Sequence, residues 1–190
     1  MKQILTQTII DEAKRLLDGF IYDYEFVAKM KSKFREEGFH MGDSEIEDIT
    51  SRERLLAVYN VNTQLKSKHR NWKIRISEDV LSMYPAMEVY LNKHEPQRIT
   101  KKSLIEKWTL LGGRIFKKNR MIALKSDEIW EKFSLFGLPY PPYDIDCLVW
   151  SEDVDYMDAK KLGVFRNESD ILPIDKHYKE PEFTFLEEYI

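Results

Sequence analysis

The longest predicted helix covers residues 50–78, which read TSRERLLAVYNVNTQLKSKHRNWKIRISE. Apolar side chains recur there at steps of three and four residues, which is the spacing of one face of an amphipathic helix. They are Leu55, Val58, Leu65, Trp72 and Ile76. Thr50 and Glu53 form a capping-box pattern, so the helix should begin near Thr50. A helix of about 25 residues is long for a globular domain.

Two polar residues, Asn62 and His69, interrupt this apolar seam. A buried amide without partners is costly. We therefore predict that Asn62 is a structural polar residue, which fixes the helix register or ties the helix to the C-terminal half through buried hydrogen bonds. The alternative is that water reaches the apolar face of the helix at this point. His69 is expected to be packed and hydrogen-bonded, because the histidines show no spacing typical of a metal site.

The segments on either side of this helix differ in pattern. Residues 8–37 have helical periodicity that Gly19 should interrupt, with Thr8 as a plausible N-cap. After Pro85 the chain alternates between short strand patterns and short helices. Strands are predicted at residues 87–91, 121–124 and 147–150, and helices after Ser103 and Asp155.

These patterns together predict an α+β fold. A helical N-terminal half with a long amphipathic helix should pack on a small mixed α/β C-terminal unit with short strands.

Composition limits the class of protein. The chain has 190 residues, of which 43% are hydrophobic, enough for a buried core in one domain or one domain with an appendage. A net charge of −3 argues against a generally basic nucleic-acid binder. A single cysteine excludes a disulfide scaffold and a cysteine-only zinc site. No apolar run reaches the length of a transmembrane helix and no signal peptide is evident, so we expect folding in the cytoplasm.

An aromatic, proline-rich loop spans residues 138–143, LPYPPY. Prolines fix an extended backbone, and such a backbone can display aromatic rings to a partner. We predict a partner-binding loop made of Tyr140, Pro141, Pro142 and Tyr143, with Trp130 nearby. The alternative is a rigid connection that packs over the core.

A group of basic residues lies on the second half of the predicted long helix. They are Lys66, Lys68, Arg70, Lys73 and Arg75. Lysine and arginine on a helix can contact DNA phosphates, so these five are the candidates for a DNA contact. The acidic Glu78 and Asp79 that follow weaken this interpretation, and a solvated helix face is the simpler alternative.

The residues that carry most enzyme chemistry do not form a catalytic pattern. Cys147 follows two aspartates, which raise the pKa of a thiol and disfavour a nucleophile. Gly112 and Gly113 lack the spacing of a nucleotide-binding loop. We therefore predict no cofactor, no metal and no enzymatic activity. One set suits acid/base and phosphate chemistry, namely His94, Glu95, Arg98 and Arg120.

Five segments, in order, resemble the phage Mu F-like head morphogenesis family, whose members are minor head proteins. The segments are residues 54–63 (RLLAVYNVNT), 84–90 (YPAMEVY), 113–116 (GRIF), 127–130 (DEIW) and 141–147 (PPYDIDC). Asn62 stands at the asparagine position of the first segment. Trp108 and Val149 stand where the family has a histidine and a second cysteine, so the resemblance transfers no histidine–cysteine site to this chain.

The resemblance implies a virion component that associates with the portal vertex and acts in head assembly and in DNA packaging or delivery. Its partners would be the portal protein and other capsid proteins, with double-stranded DNA as a further candidate and no membrane. It would be located in the virion and, during assembly, in the host cytoplasm. The N-terminal helices and the tail residues Phe183 and Phe185 would be docking elements.

The resemblance also divides the chain into three parts. Residues 1–49 would be an N-terminal helical segment, residues 50–165 the head-morphogenesis domain, and residues 166–190 an acidic C-terminal tail.

Two other interpretations of the function stay open. One is a small phage-borne ribonuclease or toxin-type enzyme, and the other is a host-directed or immunity-type binding module that uses the acidic tail.

Overall fold

A computed structural model of the chain describes residues 5–41, 48–91, 99–145, 149–171 and 181–186. These residues form seven α-helices and one four-stranded antiparallel sheet, which confirms the predicted α+β class. The helices are α1 (Gln7–Asp18), α2 (Asp23–Glu36), α3 (Arg52–Arg75), α4 (Glu78–Met83), α5 (Lys101–Leu110), α6 (Ile129–Phe133) and α7 (Tyr156–Leu162). The strands are β1 (Ala86–Leu91), β2 (Ile115–Phe116), β3 (Arg120–Leu124) and β4 (Val149–Val154).

The predicted long helix is confirmed as α3, which has 24 residues. Its first turn is capped by Ser51, whose side chain accepts a hydrogen bond of 3.1 Å from the backbone N–H of Arg54. Thr50 is therefore not the cap. Its hydroxyl and its backbone N–H both donate to the carboxylate of Asp48, each over 2.8 Å.

Two other predicted caps are wrong by a few residues. Thr6, not Thr8, caps α1, because its hydroxyl accepts from the N–H of Ile9. Thr100 caps α5, and Ser103 lies in the first turn, where it completes a reciprocal capping box with Thr100. In each pair two hydroxyl residues lie close together, and the sequence pattern alone does not distinguish them.

The chain divides into two compact units. Unit 1 contains Met1–Gln64 and Glu182–Ile190, and unit 2 contains Leu65–Pro181. The boundary falls within α3. The division at residues 50 and 166 that the family resemblance implies remains a prediction.

The core of unit 1 is built from α1, α2, the first part of α3 and the tail. Gly19 separates α1 from α2, as expected. The core side chains are apolar and almost fully buried: Ile9, Ala13, Leu16, Phe26, Met30, Phe34, Leu55, Val58, Val61, Phe185 and Leu186.

Unit 2 is organised by the sheet, whose strand order is β2-β3-β1-β4, so that β2 and β4 are its edges. Alternate residues of β1 point to opposite faces. Met87 and Val89 face a large aromatic core, whereas Ala86 belongs to a smaller cluster that α7 and Phe165 cover. The strands predicted at 87–91 and 121–124 are confirmed as β1 and β3. The third lies further along, at Val149–Val154, and Cys147 is outside the described residues.

Candidate interaction surface

The aromatic loop predicted to bind a partner lies inside unit 2. Trp130, Tyr140 and Tyr143 are at most 1% exposed, and Pro141 and Pro142 are also buried. Burial corrects the expectation that this loop displays its rings. The observed arrangement is the alternative, a rigid connection that packs into the core.

The rings are buried because they pack against each other and because their polar atoms find partners. Trp130 stacks on Tyr143 with ring centroids 6.1 Å apart, and its edge meets Trp108 at 5.3 Å. The indole N–H of Trp130 donates to the carbonyl of Leu124 over 2.7 Å, and the Tyr143 hydroxyl donates to Ser151 over 3.1 Å. A buried aromatic residue with a satisfied polar atom stabilises a core, so these residues hold unit 2 together.

The seam histidine behaves as predicted. His69 is buried, and its Nδ1 lies 3.0 Å from the hydroxyl of Tyr140. Burial raises the pKa of the Tyr140 phenol, so this hydroxyl stays protonated at neutral pH. The pair is a packed hydrogen bond within unit 2.

The five predicted DNA-contacting residues do not form one patch. At 100° per residue, Lys66, Arg70 and Lys73 lie along one side of α3, with Arg70 and Lys73 exposed. Lys68 and Arg75 lie on the other side. The ammonium of Lys68 is 5.1 Å from the centroid of the Trp150 ring, a cation–π distance.

Arg75 belongs to a partly buried ionic cluster. Its guanidinium bonds to both carboxylate oxygens of Asp153, with distances of 2.7 to 3.2 Å. The fully buried ammonium of Lys125 contacts the same carboxylate at 2.9 Å and donates to the carbonyl of Arg75 at 3.0 Å. Arg75 is thus engaged in the fold of unit 2, which corrects its assignment to a DNA-binding face.

Burial lowers the pKa of the Lys125 ammonium, and the ion pair with Asp153 opposes this shift. Lysines with lowered pKa values often occur at functional sites. The side chain of Lys125 is completely buried, however, so a substrate does not reach it in this structure. The cluster is a structural one.

The set suited to a ribonuclease is mostly outside the described residues, because His94, Glu95 and Arg98 lie there. The fourth member, Arg120, is held by two carboxylates, Glu88 at 2.7 Å and Asp158 at 2.6 Å. A substrate phosphate would have to compete with both.

Asn62 is the predicted polar residue for which the structure gives the clearest result. It is buried, and its amide bonds to both the N–H and the C=O of Thr184 in the tail. The buried hydrogen bonds expected of Asn62 are present, and they join the helix to the tail, which belongs to unit 1 and not to the mixed α/β unit.

Among the residues that the structure describes, the most exposed aromatic side chains lie in unit 1, and the sequence patterns did not predict their exposure. Phe20, Tyr22 and Tyr24 are 92%, 67% and 64% exposed. The rings of Tyr22 and Tyr24 stack with centroids 5.7 Å apart and planes 11° apart. We call these three residues the aromatic surface. Contiguous exposed apolar groups of this kind mark interaction sites.

The loop that carries the aromatic surface is held in place. The hydroxyl of Tyr59 donates to the carbonyl of Ile21 over 2.8 Å. Phe20 has a φ angle of 53°, in the left-handed region that costs a residue with a β-carbon roughly 1–2 kcal/mol. Strain on an exposed aromatic residue that no packing repays is typical of a functional position.

Two acidic residues lie close to the aromatic surface in sequence. Asp18 and Asp23, on either side of the loop, are exposed. The carboxylate of Asp23 accepts from the backbone N–H of Tyr24 over 2.7 Å. A complementary partner would present an apolar pocket with a basic rim.

Two features are absent from the described residues. No helix in them has the length and apolar content needed to cross a membrane. No three histidine, cysteine or acidic side chains among them are grouped as a metal site would require.

Comparisons of the chain with protein-family models, with curated proteins and with solved structures find no match.

Proposed function

We propose that this chain is a minor head protein of a phage or prophage, that it associates with the portal, and that it acts in head assembly and in DNA packaging or delivery. The observation that carries the proposal is the aromatic surface of Phe20, Tyr22 and Tyr24, which lies where the two N-terminal helices named as docking elements meet. Exposed tyrosine and phenylalanine are enriched where proteins bind each other.

The chemistry of this surface defines its partner. Its rings supply a large apolar area with few rotatable bonds, so little side-chain entropy is lost on binding. Its acidic flanks favour a basic rim on the portal and disfavour other acidic surfaces. The five segments that resemble the head morphogenesis family supply the identity of the partner, and the surface supplies the means of contact.

A retention experiment tests the proposal. The tagged full chain is mixed with the portal ring encoded in the same phage or prophage genome, and bound portal is measured. We expect the wild type to retain the ring. The triple variant Phe20→Ser, Tyr22→Ser, Tyr24→Ser should lose at least about tenfold in affinity, the cost of removing a cluster of interface aromatics.

The matched control is Leu110→Ser, since Leu110 is 86% exposed but lies in unit 2. It should retain the ring like the wild type. Failure of the wild type to retain the ring would refute portal association. Retention by the triple variant would refute the role of the aromatic surface.

Contact with DNA is the more specific part of this proposal. It is supported by three basic residues on one side of α3, namely Lys66, Arg70 and Lys73. Each phosphate contact steepens the dependence of log affinity on log salt by about 0.9. Changing the three residues to Gln should therefore reduce the slope by roughly 3 units, while Lys68→Gln changes it little. Absence of DNA retention by the wild type at low salt would remove DNA from the list of partners.

A further inference from the structure

The C-terminal tail occupies a site on α3. Residues from Glu182 onward belong to unit 1, although the chain reaches them from unit 2. Residues 181–186 form no helix or strand, and they contact α3 through hydrogen bonds from two of its buried side chains. We call the part of α3 between Arg54 and Asn62 the tail groove.

Asn62 binds the main chain of the tail at one residue. Its Nδ2 donates to the carbonyl of Thr184 over 2.8 Å, and its Oδ1 accepts from the N–H of Thr184 over 3.0 Å. The same Nδ2 also donates to the carbonyl of Val58, over 2.7 Å, within the helix. Both N–H donors of the amide and its oxygen thus have partners, which is what a buried amide requires.

Arg54 binds the next residue of the tail. Its Nε donates to the carbonyl of Phe185 over 3.0 Å, and the side chain is almost fully buried. A hydrogen bond from a charged donor is about twice as strong as a neutral one. Arg54 and Asn62 are eight positions apart on the helix, about 80° in direction, so both can reach the same segment, and they hold its consecutive residues Thr184 and Phe185.

The side chains of the tail supply the selectivity that main-chain bonds lack. Phe185 and Leu186 are buried in unit 1, whereas Glu182 is exposed. The Phe183 ring packs edge-on against Phe185 at 5.2 Å. The groove therefore recognises a segment without helix or strand by its main chain at positions 184 and 185 and by an aromatic residue followed by leucine.

An arrangement of this kind is a ligand in a groove, here supplied by the same chain. A chain spans at most about 3.5 Å per residue, so the stretch between Ile171 and Glu182 reaches grooves within roughly 40 Å. The tail of a second copy has the same sequence and forms the same bonds. The chain's own tail and the tail of a second copy differ only in their effective concentration at the groove. For a tethered segment this concentration is on the order of millimolar.

We propose that the tail groove is a peptide-binding site, and that where copies of the chain are crowded together it takes residues 182–186 of a second copy in place of its own. This inference goes beyond portal association and stands if that proposal fails. Exchange of tails links neighbouring copies without any new interface.

The first test asks whether the tail is a ligand. A protease site is introduced within residues 172–180 of the full chain, and the folded protein is cut there. A labelled peptide of residues 181–190, PEFTFLEEYI, is then added and its binding is followed by fluorescence anisotropy. We expect the cut protein to take up the peptide and the uncut protein to bind it far more weakly, because its own tail competes at millimolar effective concentration.

Substitutions in the peptide avoid any effect on the fold of the protein. Thr184→Pro removes the N–H that Asn62 accepts, and Phe185→Ser removes the buried ring; each should weaken binding roughly 10- to 100-fold. The control is Glu182→Ala, which should bind like the natural peptide because Glu182 is exposed. Uptake of all four peptides with equal affinity, no uptake, or loss of the helical circular dichroism signal on cutting would overturn the proposal.

The second test asks whether a second copy supplies the tail. Full-length copies with two different affinity tags are held together at about 1 mM, the effective concentration of a tethered segment, then diluted and captured through one tag. Recovery of the other tag is the expected result, and an excess of free tail peptide should reduce it. Recovery of one tag alone would show that the groove accepts only its own tail.

Discussion

Two groups of aromatic residues in this protein have opposite environments. In unit 2, Trp108, Trp130 and Tyr143 are almost completely buried, and their polar atoms are hydrogen-bonded. In unit 1, Phe20 and Tyr22 are mostly exposed, and one of them has a strained backbone. The first group stabilises the fold, while the second reduces stability and presents a surface. The difference shows that tertiary partners, rather than residue type, decide what an aromatic cluster does.

The buried and the exposed aromatic group should differ most in their contributions to the free energy of unfolding. Trp130→Ala removes the centre of the buried group and should destabilise the protein by about 3–5 kcal/mol. Tyr24→Ala, in the exposed group, should change stability by about 0.5 kcal/mol or less. Urea unfolding followed by circular dichroism measures both. Equal effects of the two variants would mean that the two groups are not energetically distinct.

A smaller effect should come from crowding the buried group. A β-carbon at Gly113 would lie 2.2 Å from Nε1 of Trp108, whose indole N–H donates to the carbonyl of Arg114. Gly113→Ala should therefore cost about 1–3 kcal/mol, as overpacking of a core does. In Gly19→Ala the nearest atoms would be 3.5 Å away, an ordinary contact, so this control should fold with little change. A neutral Gly113→Ala would show that the Trp108 ring can shift freely.

The contrast between buried and exposed groups extends to charge. Burial lowers the pKa of Lys125 from its ordinary 10.5. Between the lowered value and 10.5 the unfolded chain binds more protons than the folded one, so this lysine contributes stability that increases as the pH rises through that window. Lys125→Met should remove this increase. It leaves Asp153 paired with Arg75, so its cost at neutral pH should be about 1–3 kcal/mol, less than that of leaving a buried charge alone.

Urea unfolding at stepwise pH values, up to about pH 10.5, the ordinary pKa of lysine, measures the difference between wild type and variant. The matched control is Lys132→Met, because Lys132 is exposed and pairs with Glu128 on the surface of α6. It should leave the pH dependence unchanged. If the unfolding free energies of the wild type and of Lys125→Met changed with pH in parallel, the claim that burial lowers the pKa of Lys125 would be contradicted.

The smallest expected effect is a gain in folding stability. Phe20→Gly relieves the left-handed strain and loses almost no packing, so it should stabilise the protein by about 0.5–1 kcal/mol, net of the entropy of glycine. Lys118 also has a positive φ, of 63°, and is exposed, so Lys118→Gly should show a similar gain. Only Phe20→Gly should weaken portal retention. A loss of stability in Phe20→Gly alone would mean that the ring packs in solution.

The sequence predicted what depends on periodicity. The position of α3 and of the strands β1 and β3 follows from apolar spacing, and the α+β class follows from these. The helix ends at Arg75, before the predicted end at residue 78, and the break after α1 was predicted from Gly19. The pairing of Asn62 was predictable because a polar residue in an apolar seam needs partners. That the partner is Thr184 was not, since nothing local links positions so far apart in the chain.

Exposure of aromatic residues could not be predicted in the same way. The Pro-rich loop was predicted to expose its aromatic rings because prolines favour an extended backbone. Such a backbone can also direct the rings inward when a face of the sheet has to be covered. The exposed residues Tyr22 and Tyr24 lie in and beside an ordinary helix start, and their pattern resembles that of many half-buried helices. Only the packing of the neighbouring elements distinguishes these cases.

The edges of the sheet have a consequence for the behaviour of the chain at high concentration. A strand at an edge can pair with strands of other molecules and start aggregation. Here β2 is only two residues long and is followed by Lys117 and Lys118, and β4 carries Glu152 and Asp153 in adjacent positions. Short length and charge both discourage further strands from adding, so these two edges should not start strand-to-strand aggregation.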